Sequence, residues 1–257
     1  MKRLILVLFT LLSLTKNSYG AGEIHIGVTD NQPWAYKHEG KLSGIYPELL
    51  RSLNALNTSD AHYKVKILPL KRILKEMQSE NSPLAFAIMS HKPKRAEVMQ
   101  PLIPIYTTPF VLVSRIDQPL NSIEDIKNKQ VAMLVGGSGC PCLNSSLYYH
   151  RVRLNHHEQG LKMLMLKRVD AVAGPSTRLF ELADTLGIES SLAEPVPYEW
   201  RTVWLWASKQ NKPSIEQSEH LVSSMKELLK SGVLENLTQR HLKPSQLRHV
   251  VLKSAGE

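Results

Sequence analysis

Three features of the sequence predict an α/β fold of two lobes, each a mainly parallel sheet flanked by helices, with two crossing strands between them. Short β-branched runs alternate with segments of helical apolar spacing from residue 23 to about residue 186. The series comes twice, in units of roughly 100 residues with no low-complexity linker between them. Extended stretches at 109–114 and 202–207 stand where a chain passing from one unit to the other and back would cross.

The elements follow in order. Glu23 to Thr29 alternates and is rich in β-branched residues, a strand, and it runs into the turn-forming Asp30-Asn-Gln-Pro33. Gly40 to Gly44 reads as a turn. Ile45, Leu49, Leu50, Leu53 and Leu56 then recur at helical spacing. A strand over Tyr63 to Leu68 precedes a helix over Leu70 to Gln78 opened by Pro69, and Leu84 to Met89 is a compact apolar strand. In the second unit Ser122 caps a short helix to Ile126, and Gln130 to Val135 is a strand entering Gly136-Gly-Ser-Gly139. A helical segment follows, then a helix from His157 to Lys167, a strand over Val169 to Ala173 and a helix from Pro175 to Leu186. Trp200 to Ala207 is an aromatic strand. Helices near Ser214–Lys230 and Val233–Arg240, parted by Gly232, return to the first lobe. The division is therefore residues 1–20 as a leader, 21–111 with 204–257 as lobe 1, and 112–203 as lobe 2.

The leader begins Met1-Lys-Arg3 and continues with an apolar run from Leu4 to Leu14 broken only by Thr10 and Ser13. Ser18 and Gly20 fit a cut after Gly20, as in a secretory signal. About 11 apolar residues are too few for a membrane anchor, which needs about 20. The expected location is the periplasm. With the leader removed, 29 Lys and Arg face 23 Asp and Glu, a net charge of +6. At 42% hydrophobic and 21% charged, the chain is neither disordered nor a multi-span membrane protein. Its basic residues are too dispersed for nucleic-acid binding.

Several stretches together resemble the type II periplasmic solute-binding proteins that feed amino-acid ABC transporters. They are Ile26-Gly-Val28 before Pro33-Trp34, Gly44-Ile-Tyr-Pro-Glu-Leu-Leu50, and Ser90-His-Lys-Pro-Lys-Arg95 before Tyr106. Ile123-Glu-Asp-Ile-Lys127 before Val131 and Gly136, Leu164 to Asp170, and Lys226-Glu-Leu-Leu-Lys-Ser-Gly232 complete the pattern. The resemblance covers nearly the whole mature chain and implies a ligand cleft between lobes that close by a hinge motion.

Ligands of open parallel sheets bind beyond the carboxyl ends of the strands, where loops and helix N-termini supply free backbone donors. The candidate cleft loops are 30–34, which carries Asn31 and Trp34, 69–72, 90–95, 136–140 and 174–176. Arg95 offers a planar fork for a carboxylate, and the resemblance assigns an Arg at this position to the ligand's carboxylate; a solvated surface arginine is the competing reading. Ser90 adds a hydroxyl and an amide, or is only a turn residue. Ser138 stands where the family carries a small hydroxyl residue on the second lobe, or lies in a flexible turn. The glycines around it lack the Lys-Ser or Lys-Thr of a phosphate loop. Trp34 either stacks on a ligand or packs in the core. Leu70 stands where relatives have an aromatic lid. Amino-acid binders also place an acid after the strand equivalent to 169–173, where Gly174-Pro175-Ser176 stands here. The reading therefore leans to a small anionic ligand such as a carboxylate.

Cys140-Pro-Cys142 leaves three readings open: a local disulfide in an oxidising compartment, free thiols, or a soft-metal site with His156, His157 or Met133. No cofactor is expected. Trp200, Trp204 and Trp206 share one strand face and are read as packing. The function expected is solute capture for an ABC permease by a monomer. The alternatives are a ligand-sensing partner of a membrane kinase, and an enzyme on the same scaffold like the cyclohexadienyl dehydratases, which would need a carboxylate in the cleft.

Overall fold

The computed structural model describes residues 22–56, 61–78, 84–87, 99–135, 143, 148–210, 215–247 and 250–252. Strands β1 (Glu23–Val28), β4 (His62–Ile67) and β5 (Leu84–Ala87) form a parallel set with β1 in the middle. Helix α1 (Ile45–Leu56) and helix α2 (Leu70–Gln78) connect them. A second parallel set has β7 (Gln130–Leu134) between β8 (His150–Leu154) and β9 (Ala171–Pro175), with helices α3 (His157–Met165) and α4 (Ser176–Thr185). The long strands β6 (Met99–Val113) and β10 (Val196–Ser208) pair antiparallel and join the sets into one sheet of order β4-β1-β5-β10-β6-β9-β7-β8.

Both long strands exceed the sequence-based expectation. The stretch before Pro109 reads poorly as a strand because Pro101 and Pro104 cannot donate to a ladder. The structure accommodates them through shifts of register: β10 slips between Val203 and Trp204, where it meets Pro104, and between Leu205 and Trp206, where it meets Pro101.

Further elements differ from the sequence reading. Strand β8 occupies residues expected to be helical; His150, Arg151 and Arg153 are exposed on it, which hides the period-2 signal while protecting the sheet edge from further pairing. Strand β9 lies two residues later than expected. Asp170 brackets its start, accepting the Gln130 N–H at 2.7 Å while its own N–H donates to the Gln130 carbonyl at 2.8 Å. Gly174 is thereby inside the strand. The Gly40 turn is also more than a turn: β2 (Tyr36–His38) and β3 (Lys41–Ser43) form a hairpin around Glu39 and Gly40, both at positive φ.

Each set has its own core. On the first side Ile26, Val28, Phe86 and Leu205 pack with Leu49 and Leu53 of α1. Leu221 and Met225 of α5 (Ile215–Lys230) and Leu237 of α6 (Val233–His241) join them, so these helices pack on the first parallel set. The Asn54 side chain ties α1 to β4, donating to the Tyr63 carbonyl and accepting its N–H, both at 2.8 Å. On the second side Val172, Leu161 and Leu179 fill one face, and Ala173, Met133 and Ile126 the other. Trp206 and Trp204 pack on Ile73, Met77 and Met99. Trp200 departs from the packing expectation, standing 55% exposed. The short helix α7 (Pro244–Leu247) contacts α4, with Lys243 paired to Asp184, before β11 (Val251–Leu252) adds to β6. The C-terminal segment therefore touches both units.

Gly44, at φ +115°, is hemmed in by backbone: a Cβ there would stand 2.6 Å from the Pro33 carbonyl oxygen and 2.8 Å from that of Trp34. Replacing Gly44 by Ala should lower unfolding free energy by about 2–4 kcal/mol. Chemical denaturation of the two proteins measures it, and equal midpoints would show that the loop yields.

Candidate functional site

The strand register determines where a ligand can sit. Ala87, at the carboxyl end of β5, pairs with Trp204, which pairs with Pro104 of β6. Pro175, at the carboxyl end of β9, pairs with Phe110 of the same strand. The two parallel sets run in opposite directions, so their carboxyl ends point toward one another. The β6 span between Pro104 and Phe110 separates them by about 20 Å at ~3.3 Å per residue. The middle of the β6–β10 ribbon is the floor of the gap. There Thr107 and Thr202 share a 2.8 Å hydroxyl hydrogen bond. Arg201 lies 4.2 Å over the Phe110 ring and donates to Glu199.

Asn31, Trp34 and Leu70 lie at the carboxyl ends of β1 and β4, which are neighbours in the sheet. The half-buried Asn31 holds the loop in a reciprocal backbone pair with Ala35, at 2.8 and 3.0 Å. Trp34 is 1% exposed, its ring stacked on Tyr106 at 3.8 Å and 5°, with Tyr46 of α1 at 5.5 Å. Of its two sequence readings this geometry is core packing, and it pins the loop against the ribbon. Burial pushes the Tyr46 and Tyr106 hydroxyls well above their usual range. Leu70, half-buried, opens α2. Asp30 is exposed beside Asn31. Ser90, Arg95, Ser138, Cys140 and Cys142 lie outside the described residues, as does the leader.

The opposite edge is built by close packing. Gly160 lets α3 approach the sheet, since a Cβ there would lie 3.1 Å from a Val172 methyl. One helical turn earlier, and two strand residues later, the roles reverse: a Cβ on Gly174 would stand 2.6 Å from Nε2 of His157. The imidazole therefore rests on the glycine at the end of β9, a placement that reading His157 only as a soft-metal partner of Cys140 and Cys142 does not anticipate. The glycines at 160 and 174 were the available signal. His157 is 9% exposed, and its Nε2 has no hydrogen-bond partner among the described residues. Desolvation, with the positive charges of Arg178 and His156 behind it, pushes its pKa down to about 4. Ser176, the first residue of α4, is fully buried, with its Oγ likewise unpartnered.

Among the described residues this edge offers no free carboxylate. Glu158 is exposed and paired with Lys162 at 2.6 Å. Glu181 is buried on α4, paired with Arg178 and hydrogen-bonded by Thr185, and burial raises its pKa. Asp170 lies at the far end of β9. No group of three or more His, Cys, Asp or Glu among the described residues is placed to hold a metal ion.

Because His157 is neutral in the folded state and has an ordinary pKa near 6.5 when unfolded, the unfolded chain binds the extra proton as pH falls. Acidification from about 6.5 to about 4 should therefore cost ~3 kcal/mol through this residue. Urea unfolding at pH 7 and pH 4.5 should show a smaller acid loss in His157→Phe than in the wild type. Identical losses would mean the imidazole is hydrated.

Residues 24–244 match the family of bacterial extracellular solute-binding proteins, family 3. A probable amino-acid-binding protein of Bacillus subtilis, YxeM, is 24% identical over 224 residues, which are 85% of this chain and 83% of that protein. Two solved structures share the fold. One, concerning glutathione import via GshT and the cystine ABC importer TcyBC of Streptococcus mutans, superposes with a TM-score of 0.73 at 16% identity. The other, a histidine kinase sensor domain similar to periplasmic binding proteins, gives 0.71 at 15%. Each covers 90% of this chain and 98% of its own. No described helix is long and apolar enough to cross a membrane. With the family match spanning most of its length and two parallel sets converging on a shared ribbon, the chain belongs to the bacterial extracellular solute-binding proteins, family 3.

Proposed function

We propose that this chain is a monomeric periplasmic binding protein that captures a small carboxylate-bearing solute between its lobes and presents it to an ABC permease. The observation that carries the reading is the convergence of two sets of strand ends on the middle of the β6–β10 ribbon. The family match and the amino-acid-binding relative support it. In this reading residues 1–20 are removed on export, residues 21–111 and 204–257 form lobe 1, and residues 112–203 form lobe 2. The ribbon bends as the lobes close, shifting an open and closed equilibrium toward the liganded state. The contact of α7 with α4 is a third link that opening has to strain or release.

Arg95 is assigned the solute's carboxylate, with Ser90 beside it and Ser138 facing them from lobe 2. The bound group is anionic because the lobe 2 edge lacks the acid that would receive an ammonium group, Gly174 and Pro175 standing in its place. The same lack speaks for binding rather than catalysis. A dehydratase needs a carboxylate free to move a proton, and Glu181 is already held by Arg178 and Thr185. Ligand sensing for a membrane kinase would use the same capture step.

Native mass spectrometry of the mature protein taken gently from periplasm should reveal a co-purifying small molecule. Carboxylates should then raise its melting temperature with concentration, as linkage requires. Arg95→Ala should abolish that shift with the fold intact, and solution scattering should record compaction on saturation. An unchanged affinity in Arg95→Ala, or one scattering profile with and without solute, would overturn the respective part of this reading.

A further inference from the structure

The orphaned polar atoms at the end of β9 point to the chemistry of the second half of the solute. Ser176 Oγ and His157 Nε2 are both buried and without a partner among the described residues. They lie on consecutive connections at the carboxyl edge of one parallel set, each in the first turn of a helix, α3 of 9 residues and α4 of 10. Buried polar groups are hydrogen-bonded in nearly all folded proteins, so a pair left open at such an edge calls for an external acceptor or donor. The glycine beneath the imidazole makes this placement specific, since any side chain at 174 would displace the ring.

Both helix starts turn unpaired backbone N–H groups and the positive end of a helix dipole toward this edge. The Arg178 guanidinium, paired with Glu181, adds positive charge near the imidazole. The nearby acids are occupied, Glu158 by Lys162 and Glu181 by Arg178. Among the described residues an ammonium group would find no free counter-charge here, whereas a carboxylate would accept from the Ser176 hydroxyl and from imidazole Nε2–H.

We propose that His157 and Ser176 form a second anion subsite that receives one carboxylate of a dicarboxylate solute, the other going to lobe 1. This rests on the interlobe capture reading and extends it by naming the solute class. Lobe opening exposes the subsite, and closure buries it with the carboxylate in place.

Succinate and β-alanine test the proposal, because they share a short chain and one carboxylate and differ by a carboxylate against an ammonium at the other end. In calorimetric titrations of the mature protein, succinate should bind at least about tenfold more tightly than β-alanine, the scale of one charge-assisted hydrogen bond. His157→Phe should weaken succinate about tenfold or more while leaving β-alanine as it was. Gly174→Ala should act in the same direction by pushing the ring aside, and Ser176→Ala serves where either of these fails to fold. Equal affinities for the two probes, no binding of succinate, or succinate affinity untouched by folded variants overturns the subsite; the last is the result expected if an internal water satisfies both atoms. If succinate fails while native mass spectrometry finds another bound solute, the subsite is wrong and capture stands. If neither method finds a solute, capture falls with it.

Discussion

Backbone pairing between β6 and β10 extends from Met99 opposite Ser208 to Leu112 opposite Val196, and every other arrangement in the molecule refers to it. One parallel set attaches to β10 through β5, the other to β6 through β9, each near a different end of the ribbon. Since the two attachments have opposite sense, the carboxyl ends of both sets are turned inward. The cleft follows from hydrogen-bond register rather than from any residue within it. The prolines of β6 remain compatible with pairing because β10 shifts register where it meets Pro101 and Pro104.

The floor is held on both faces by side chains that leave little slack. Trp34 stacks on Tyr106 and fastens the loop after β1. The guanidinium of Arg201 covers Phe110 and binds Glu199, and Thr107 and Thr202 bridge the two strands between these contacts. In the proposed closure, movement of one lobe against the other is thereby concentrated in backbone twist along the ribbon. Groups on the loops can be rearranged while the floor keeps its register.

At the lobe 2 edge, space rather than sequence motif decides the chemistry. Gly160 brings α3 down onto Val172, and Gly174 receives the imidazole that this close approach delivers. A neutral buried histidine and a buried hydroxyl then occupy an edge whose neighbouring acids are all paired. The electrostatic character is that of a donor set, which agrees with the absence of an acid after β9 that the sequence already showed.

Much of the architecture was legible in the chain. Helices α1 and α2 were predicted from apolar spacing and from Pro69, and the strand-helix alternation implied two parallel sets, because both signals are local and survive in a single sequence. Strand β8 escaped because its exposed charges mask the alternation, and the full length of β6 escaped because its prolines oppose pairing in the absence of a known partner. Of the candidate cleft loops, 30–34 follows β1, whereas 174–176 is no loop, Gly174 and Pro175 ending β9 and Ser176 opening α4; the choice between ligand stacking and packing for Trp34 could not be made without Tyr106, 72 residues away. The placement of His157 was hidden for the same reason, since it depends on a glycine in another element. By itself the sequence determined which segments are helix or strand and which charges and side chains are available. The tertiary structure alone decided which of them meet, because strand register and helix-to-sheet distance are set by contacts between residues far apart in the chain.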